Sequence, residues 1–194
     1  MRGIADRAKP SVKETKMRFF RRKAKVTSYE LGKVLARFTF SRSDTNQLKE
    51  ILRNVGDFVS VKEGYLGNSH KEWIMMNMFG VVCACKQTIS SDKCKAVLEA
   101  YQLHIQNRLS YLGWNYRQID EFESLLTRRY EDYQKALRIK SPPGPLYYLV
   151  RYVVRHMLAE EWSDNHYPIT TSYKIFVGTI KTAEKMIRKT YELI

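Results

Sequence analysis

The chain has 194 residues, 34 Lys/Arg against 20 Asp/Glu for a formal charge of +14, and 44% hydrophobic residues. A chain of that size and composition can bury an ordinary globular core, so stability requires neither a disulfide framework nor a structural metal. Cys83, Cys85 and Cys94 cannot all pair within one chain, no secretory leader is visible, and the longest uncharged apolar run, Trp73 to Cys85, is too short to span a bilayer. Nothing therefore points to a disulfide-stapled secreted protein or a helical membrane protein, and a cytoplasmic location is expected.

Residues 1–25 hold ten Lys/Arg against Asp6 and Glu14, a net of +8 within the +14 of the whole chain. With Gly3, Pro10 and no hydrophobic period, this segment reads as a disordered basic arm, and residues 26–194 as one helical bundle domain. The texture changes at Met17, where Arg18, Phe19, Phe20, Arg21, Arg22, Lys23 and Lys25 alternate charge with paired aromatics. Met17 is a plausible natural start, with residues 1–16 as an upstream extension.

Thr27-x-x-Glu30 is a capping box, followed by Leu31, Val34, Leu35 and Phe38 at helical spacing. Ser43 or Asp44 caps a second helix carrying Leu48, Ile51, Leu52 and Val55 and ended by Gly56, and the two are expected to pair antiparallel. Residues 57–68 read as loop, and Ser69-x-x-Glu72 as the capping box of a third helix running to about Lys86. Because Trp73 to Val82 leaves almost no polar face, this helix should be surrounded by others.

Ser90 or Ser91 opens a fourth helix with Cys94, Leu98, Tyr101, Ile105 and Leu109 on one face, closed by Gly113. Asn115 begins a fifth through Leu137, an expected antiparallel neighbour of the fourth. The Ser141-Pro142-Pro143-Gly144-Pro145 break places Pro145 in the first turn of a sixth helix reaching about Glu160. Thr170 to the C-terminus is the last, with Tyr173, Phe176, Ile180, Ala183, Ile187 and Tyr191 inward. The fold class is an all-α single-domain bundle of six or seven helices with a disordered basic N-terminal arm.

Common catalytic signatures are missing from the sequence: no Gly-rich phosphate loop, no Gly-x-Ser-x-Gly elbow, no His-Glu-x-x-His, no Cys-x-x-Cys and no Glu-x-x-His pair. Cys83 and Cys85 project to opposite sides of a helix, so all three thiols read as core groups and no metal or other cofactor is expected. His156 and Glu160, four apart on one helix face with His166 following, are the catalytic candidates, since a carboxylate can orient an imidazole for general-base work.

Two basic features bear on partners. The arm residues Arg18 to Lys25 suit an anionic surface, and Lys181, Lys185 and Arg188 form a stripe within about 60° on the last helix that could track phosphates. The leading reading is therefore a non-enzymatic cytoplasmic interaction protein, docking by its arm on a membrane or an acidic partner and binding a protein partner or a second copy through the bundle. The alternatives are nucleic-acid association through arm and stripe, and an enzyme centred on residues 156–167.

Overall fold

A computed structural model describes residues 23–43, 46, 48–49, 63–158 and 166–194. Among these residues the fold is an all-α bundle of α1 (Ser28–Arg42), α2 (Glu63–Thr88), α3 (Ser91–Tyr111), α4 (Tyr116–Leu137), α5 (Pro145–Met157) and α6 (His166–Lys185). A five-residue π turn, Met186–Thr190, ends α6, and two three-residue strands, β1 (Ala24–Val26) and β2 (Tyr191–Leu193), lie at the two ends of the described chain. Asn46, Leu48 and Lys49 are also helical, and Leu48 is buried. The rest of the expected second helix, including its Gly56 end, lies outside the described residues.

Local sequence chemistry sets several boundaries. The Thr27 hydroxyl accepts from the Glu30 amide at 3.2 Å while the Glu30 carboxylate accepts from the Thr27 amide at 2.8 Å. Asn115 and Gln118 repeat the same reciprocal arrangement at α4. Each cap contributes about 1 kcal/mol by satisfying amides that have no partner inside the helix. Pro145 occupies the first turn of α5 behind Gly144, whose φ of 117° favours glycine.

As expected, α2 is the centre: every residue from Glu72 to Val81 is buried. It packs most extensively on α6, and further on α5, α1 and α3. Asn77, a fully buried amide of this helix, is satisfied throughout. Its Nδ2 donates to the Trp73 carbonyl at 3.0 Å and to Ser43 Oγ at 3.3 Å, and its Oδ1 accepts from Thr179 Oγ1 at 2.8 Å. One side chain thus ties the end of α1, the middle of α2 and α6 together.

The main partner of α1 is α3. Gly32 makes that approach close: a Cβ there would lie 2.6 Å from the Tyr101 amide nitrogen and 2.8 Å from the Ala100 carbonyl carbon. Two turns on, the Thr39 and Tyr101 hydroxyls share a 2.6 Å hydrogen bond. The expected α3–α4 pairing is present, bridged by Gln102 and Gln106 to Glu123. The larger contacts of α4, however, are with α5.

Four expectations need correction. Helix α2 begins at Glu63, not Ser69, so residues 63–68 are helical and the Ser69/Glu72 pattern is not a cap. Ser69 Oγ instead donates to the Met157 carbonyl at 2.8 Å, and Glu72 binds Arg129. Ser90 does precede α3, but without a side-chain cap hydrogen bond. Helix α6 starts at His166 rather than Thr170, and it does not run to the C-terminus: Tyr191 lies in β2.

Candidate functional site

The base of the basic arm is fixed to the opposite end of the chain. Strand β1 pairs parallel with β2 in the register Ala24↔Tyr191, Lys25↔Glu192 and Val26↔Leu193, and the Ile194 amide donates to the Val26 carbonyl at 3.1 Å. Val26 turns inward and is buried, while Lys23 and Lys25 are exposed. Lys25, counted with the arm from sequence, therefore sits in mid-strand.

Beside this pair lies a shallow pocket of about 370 Å³ whose polar wall includes Lys23, Lys93, Arg188 and Glu192 over an apolar floor with Leu31, Ile89 and Ile187. Lys93 Nζ donates to the Leu193 carbonyl at 2.9 Å, and Arg188 Nη2 to the Gln87 carbonyl at 3.4 Å. Three of the four charged groups there are cations, and two backbone carbonyls hold two of them in place. The base of the arm, at Lys23, and Arg188 of the C-terminal basic stripe thus border the same pocket.

Lys181 and Lys185 are exposed on α6, as the stripe requires. Arg188 lies in the π turn, where i→i+5 bonding advances each residue through a smaller angle than in an α-helix, so it rotates away from the other two and toward Gln87. Arg18, Phe19, Phe20, Arg21 and Arg22 lie outside the described residues, as does Met17.

The helix expected to carry His156 toward Glu160 is shorter than the sequence suggests: α5 ends at Met157, and Leu158 is extended with φ −114° and ψ 158°. The buried Leu158 side chain leaves the helix path to join the core. Glu160 and the side chain of His166 lie outside the described residues. His156 itself is half-buried near Tyr152, with ring centroids 6.4 Å apart, and its Nε2 finds no hydrogen-bond partner among the described residues.

Its surroundings were not legible in the sequence. Arg129 of α4 grips Glu72 of α2 through Nε at 2.8 and 3.0 Å and Nη2 at 2.6 Å. The Glu72 side chain is only 4% exposed. Burial pulls the Arg129 pKa down, but the hydrogen bonds and charge of Glu72 more than offset this and leave it raised. Burial lowers the His156 pKa, and the positive charges of Arg129 and Arg155 act in the same direction, outweighing Glu72 and Asp132. The Tyr133 hydroxyl is buried, and burial, then the Glu72 carboxylate, pushes its pKa well up. A neutral imidazole, a neutral phenol and a closed ion pair make this a clamp between helices. T-shaped contacts of Phe79 with Tyr130 and Tyr133, at 5.0 and 5.2 Å, continue it.

The cysteines are core groups. Burial pushes Cys83 up to about 11 and Cys85 up to about 12, and raises Cys94 as well, so all three are thiols rather than nucleophilic thiolates at neutral pH. Among the described residues no three His, Cys, Asp or Glu side chains are grouped to hold a metal ion, and no helix is long and apolar enough to cross a membrane. No protein-family model matches the chain, and neither curated proteins nor solved structures show significant similarity to it.

Proposed function

We propose that the protein is a non-enzymatic interaction protein that docks reversibly on an anionic phospholipid surface, in the cytoplasm, through Arg18 to Lys25 and the basic end of the bundle. The observation that supports this reading most is the β1–β2 pairing, which anchors the base of the arm beside Lys93 and Arg188. An arm leaving the bundle at that point adds its charges to those already there. Arg18, Arg21, Arg22, Lys23 and Lys25 at about 1 kcal/mol each, with insertion of Phe19 and Phe20 at about 1–2 kcal/mol each, give a dissociation constant on the order of 10 μM after ordering costs. Such a dock is salt-sensitive and reversible, and the bundle is the body it brings to the surface.

Co-sedimentation with phosphatidylcholine vesicles, with and without phosphatidylserine, tests this. Binding is expected only with phosphatidylserine, weakening with salt and lost on reversing Arg18, Arg21 and Arg22 to Glu. Failure to bind anionic vesicles, or tighter binding to RNA that is lost on reversing Lys181, Lys185 and Arg188, would replace the membrane reading with the nucleic-acid one.

A further inference from the structure

Away from the arm, α1 and α3 border a second concavity, a pocket of about 600 Å³. That size lies within the range of small-ligand sites. Among the described residues its charged wall is cationic: Lys33 and Arg37 stand one turn apart on α1, and Arg108 faces them from α3. None of the three pairs with a carboxylate of a described residue. His104, one turn before Arg108, lies beneath Tyr29 at a ring separation of 4.6 Å, and its Nε2 is buried with no partner among the described residues. Burial first, and then the charges of Lys33 and Arg37, lower its pKa, so the imidazole is neutral at physiological pH and adds a hydrogen-bonding group rather than a fourth charge.

The pocket is not merely basic. Phe40 and Ala36 give it an apolar side, Asn107 offers an amide, and Tyr111 stands 79% exposed with the Arg108 guanidinium over its ring at 5.1 Å. Two guanidinium forks and an ammonium exceed what one carboxylate would neutralise, and they match the charge and oxygen geometry of phosphate groups. The aromatic and apolar side accommodates a planar ring, for which exposed tyrosine is a stacking surface. We propose that this pocket binds a small phosphorylated ligand of nucleotide size, with its phosphates among Lys33, Arg37 and Arg108 and its ring against Phe40 and Tyr111.

Calorimetric titration of the full chain with ATP, pyrophosphate and adenosine tests the assignment. ATP is expected to bind saturably at one site, pyrophosphate more weakly, and adenosine at least about tenfold more weakly than ATP. Arg37→Gln with Arg108→Gln should weaken ATP at least about tenfold. Reversing Arg18, Arg21 and Arg22 to Glu should leave ATP affinity unchanged, which separates this site from the arm. The His104 ring resonances should shift on titration of the unaltered protein, a readout that needs no variant. Absence of saturable binding, equal affinity for adenosine and ATP, or loss of binding with the arm variant but not the pocket variant would overturn the proposal.

Discussion

The molecule handles charge in opposite ways at the α2–α4 contact and at the α1–α3 pocket. Between α2 and α4 a carboxylate and a guanidinium are withdrawn from water together, and three close contacts join them. Between α1 and α3 three cations stand around one concavity and none is answered by a carboxylate of a described residue. The first arrangement is complete in the folded chain and specifies which helices meet. The second leaves like charges facing one another, a cost that an anionic ligand removes. A closed pair therefore belongs to the fold, and an open cluster to a ligand.

Breaking the closed pair should produce the largest effect. Arg129→Met leaves the Glu72 carboxylate buried and unpartnered, and should cost about 3–5 kcal/mol of unfolding free energy in urea titrations. Replacing Glu72 with Leu in the same protein should restore most of that loss, because a packed apolar pair is often as stable as a buried ionic one. A single-variant cost below about 1 kcal/mol would place Glu72–Arg129 with exposed pairs such as Lys95–Glu99 and dissolve the contrast.

The open cluster depends on how near α1 lies to α3, which makes Gly32 the next point of attack. Gly32→Ala drives a methyl group into the Tyr101 and Ala100 backbone, which cannot move aside as a side chain can. A loss of about 1–3 kcal/mol is expected, together with weakened ATP binding as the pocket walls separate. Gly80→Ala is the control. Its new methyl would meet only the Phe176 and Thr179 side chains, at 3.2 Å, so it should cost less and leave ATP binding intact.

The two regions also differ in how much of them the sequence discloses. Hydrophobic spacing and caps are local, so the α1 and α4 starts, the Pro145 turn and the buried stretch around Trp73 to Cys85 follow from neighbouring residues alone. Local pattern also misleads: Ser69 and Glu72 have capping spacing, yet both reach other helices, to Met157 and Arg129. Strands of three residues carry too little alternation to announce themselves, and β1 finds β2 only because the chain ends are brought together. The α1–α3 pocket needs two helices far apart in sequence to be known as partners. Lys33/Arg37 and His104/Arg108, each four residues apart, were visible signals, and Gly32 within a helix marked the close approach.

Smaller effects come from histidine titration, where both regions predict the same sign. The folded-state pKa of His156 is lowered from 6.5, chiefly by burial. Near and below that value the unfolded chain binds more protons than the native one, so stability falls as pH drops from about 7.5 toward about 5.5. His156→Asn should flatten this part of the pH–stability profile. His104, whose pKa is lowered by burial and by Lys33 and Arg37, contributes in the same direction. An unchanged slope in both Asn variants would show that neither imidazole is held neutral by the fold.

The smallest expected effect bears most directly on why the cations of α1 are where they are. If Lys33 and Arg37 serve only as a solvated helix face, neutralising them changes little beyond solubility. If they are held beside Arg108 for a ligand, Lys33→Gln with Arg37→Gln relieves repulsion in the empty pocket and should stabilise the free protein by about 0.2–0.5 kcal/mol. The same change should raise the His104 pKa toward 6.5, measurable by its ring resonances, because two of the three causes that lower it are removed and only burial remains. In the presence of ATP the ranking should invert, since the unaltered protein gains binding free energy that the variant has lost. Greater stability without ligand and lower stability with it is the signature of charge retained for binding, and a variant that is less stable in both conditions would assign Lys33 and Arg37 to the fold instead.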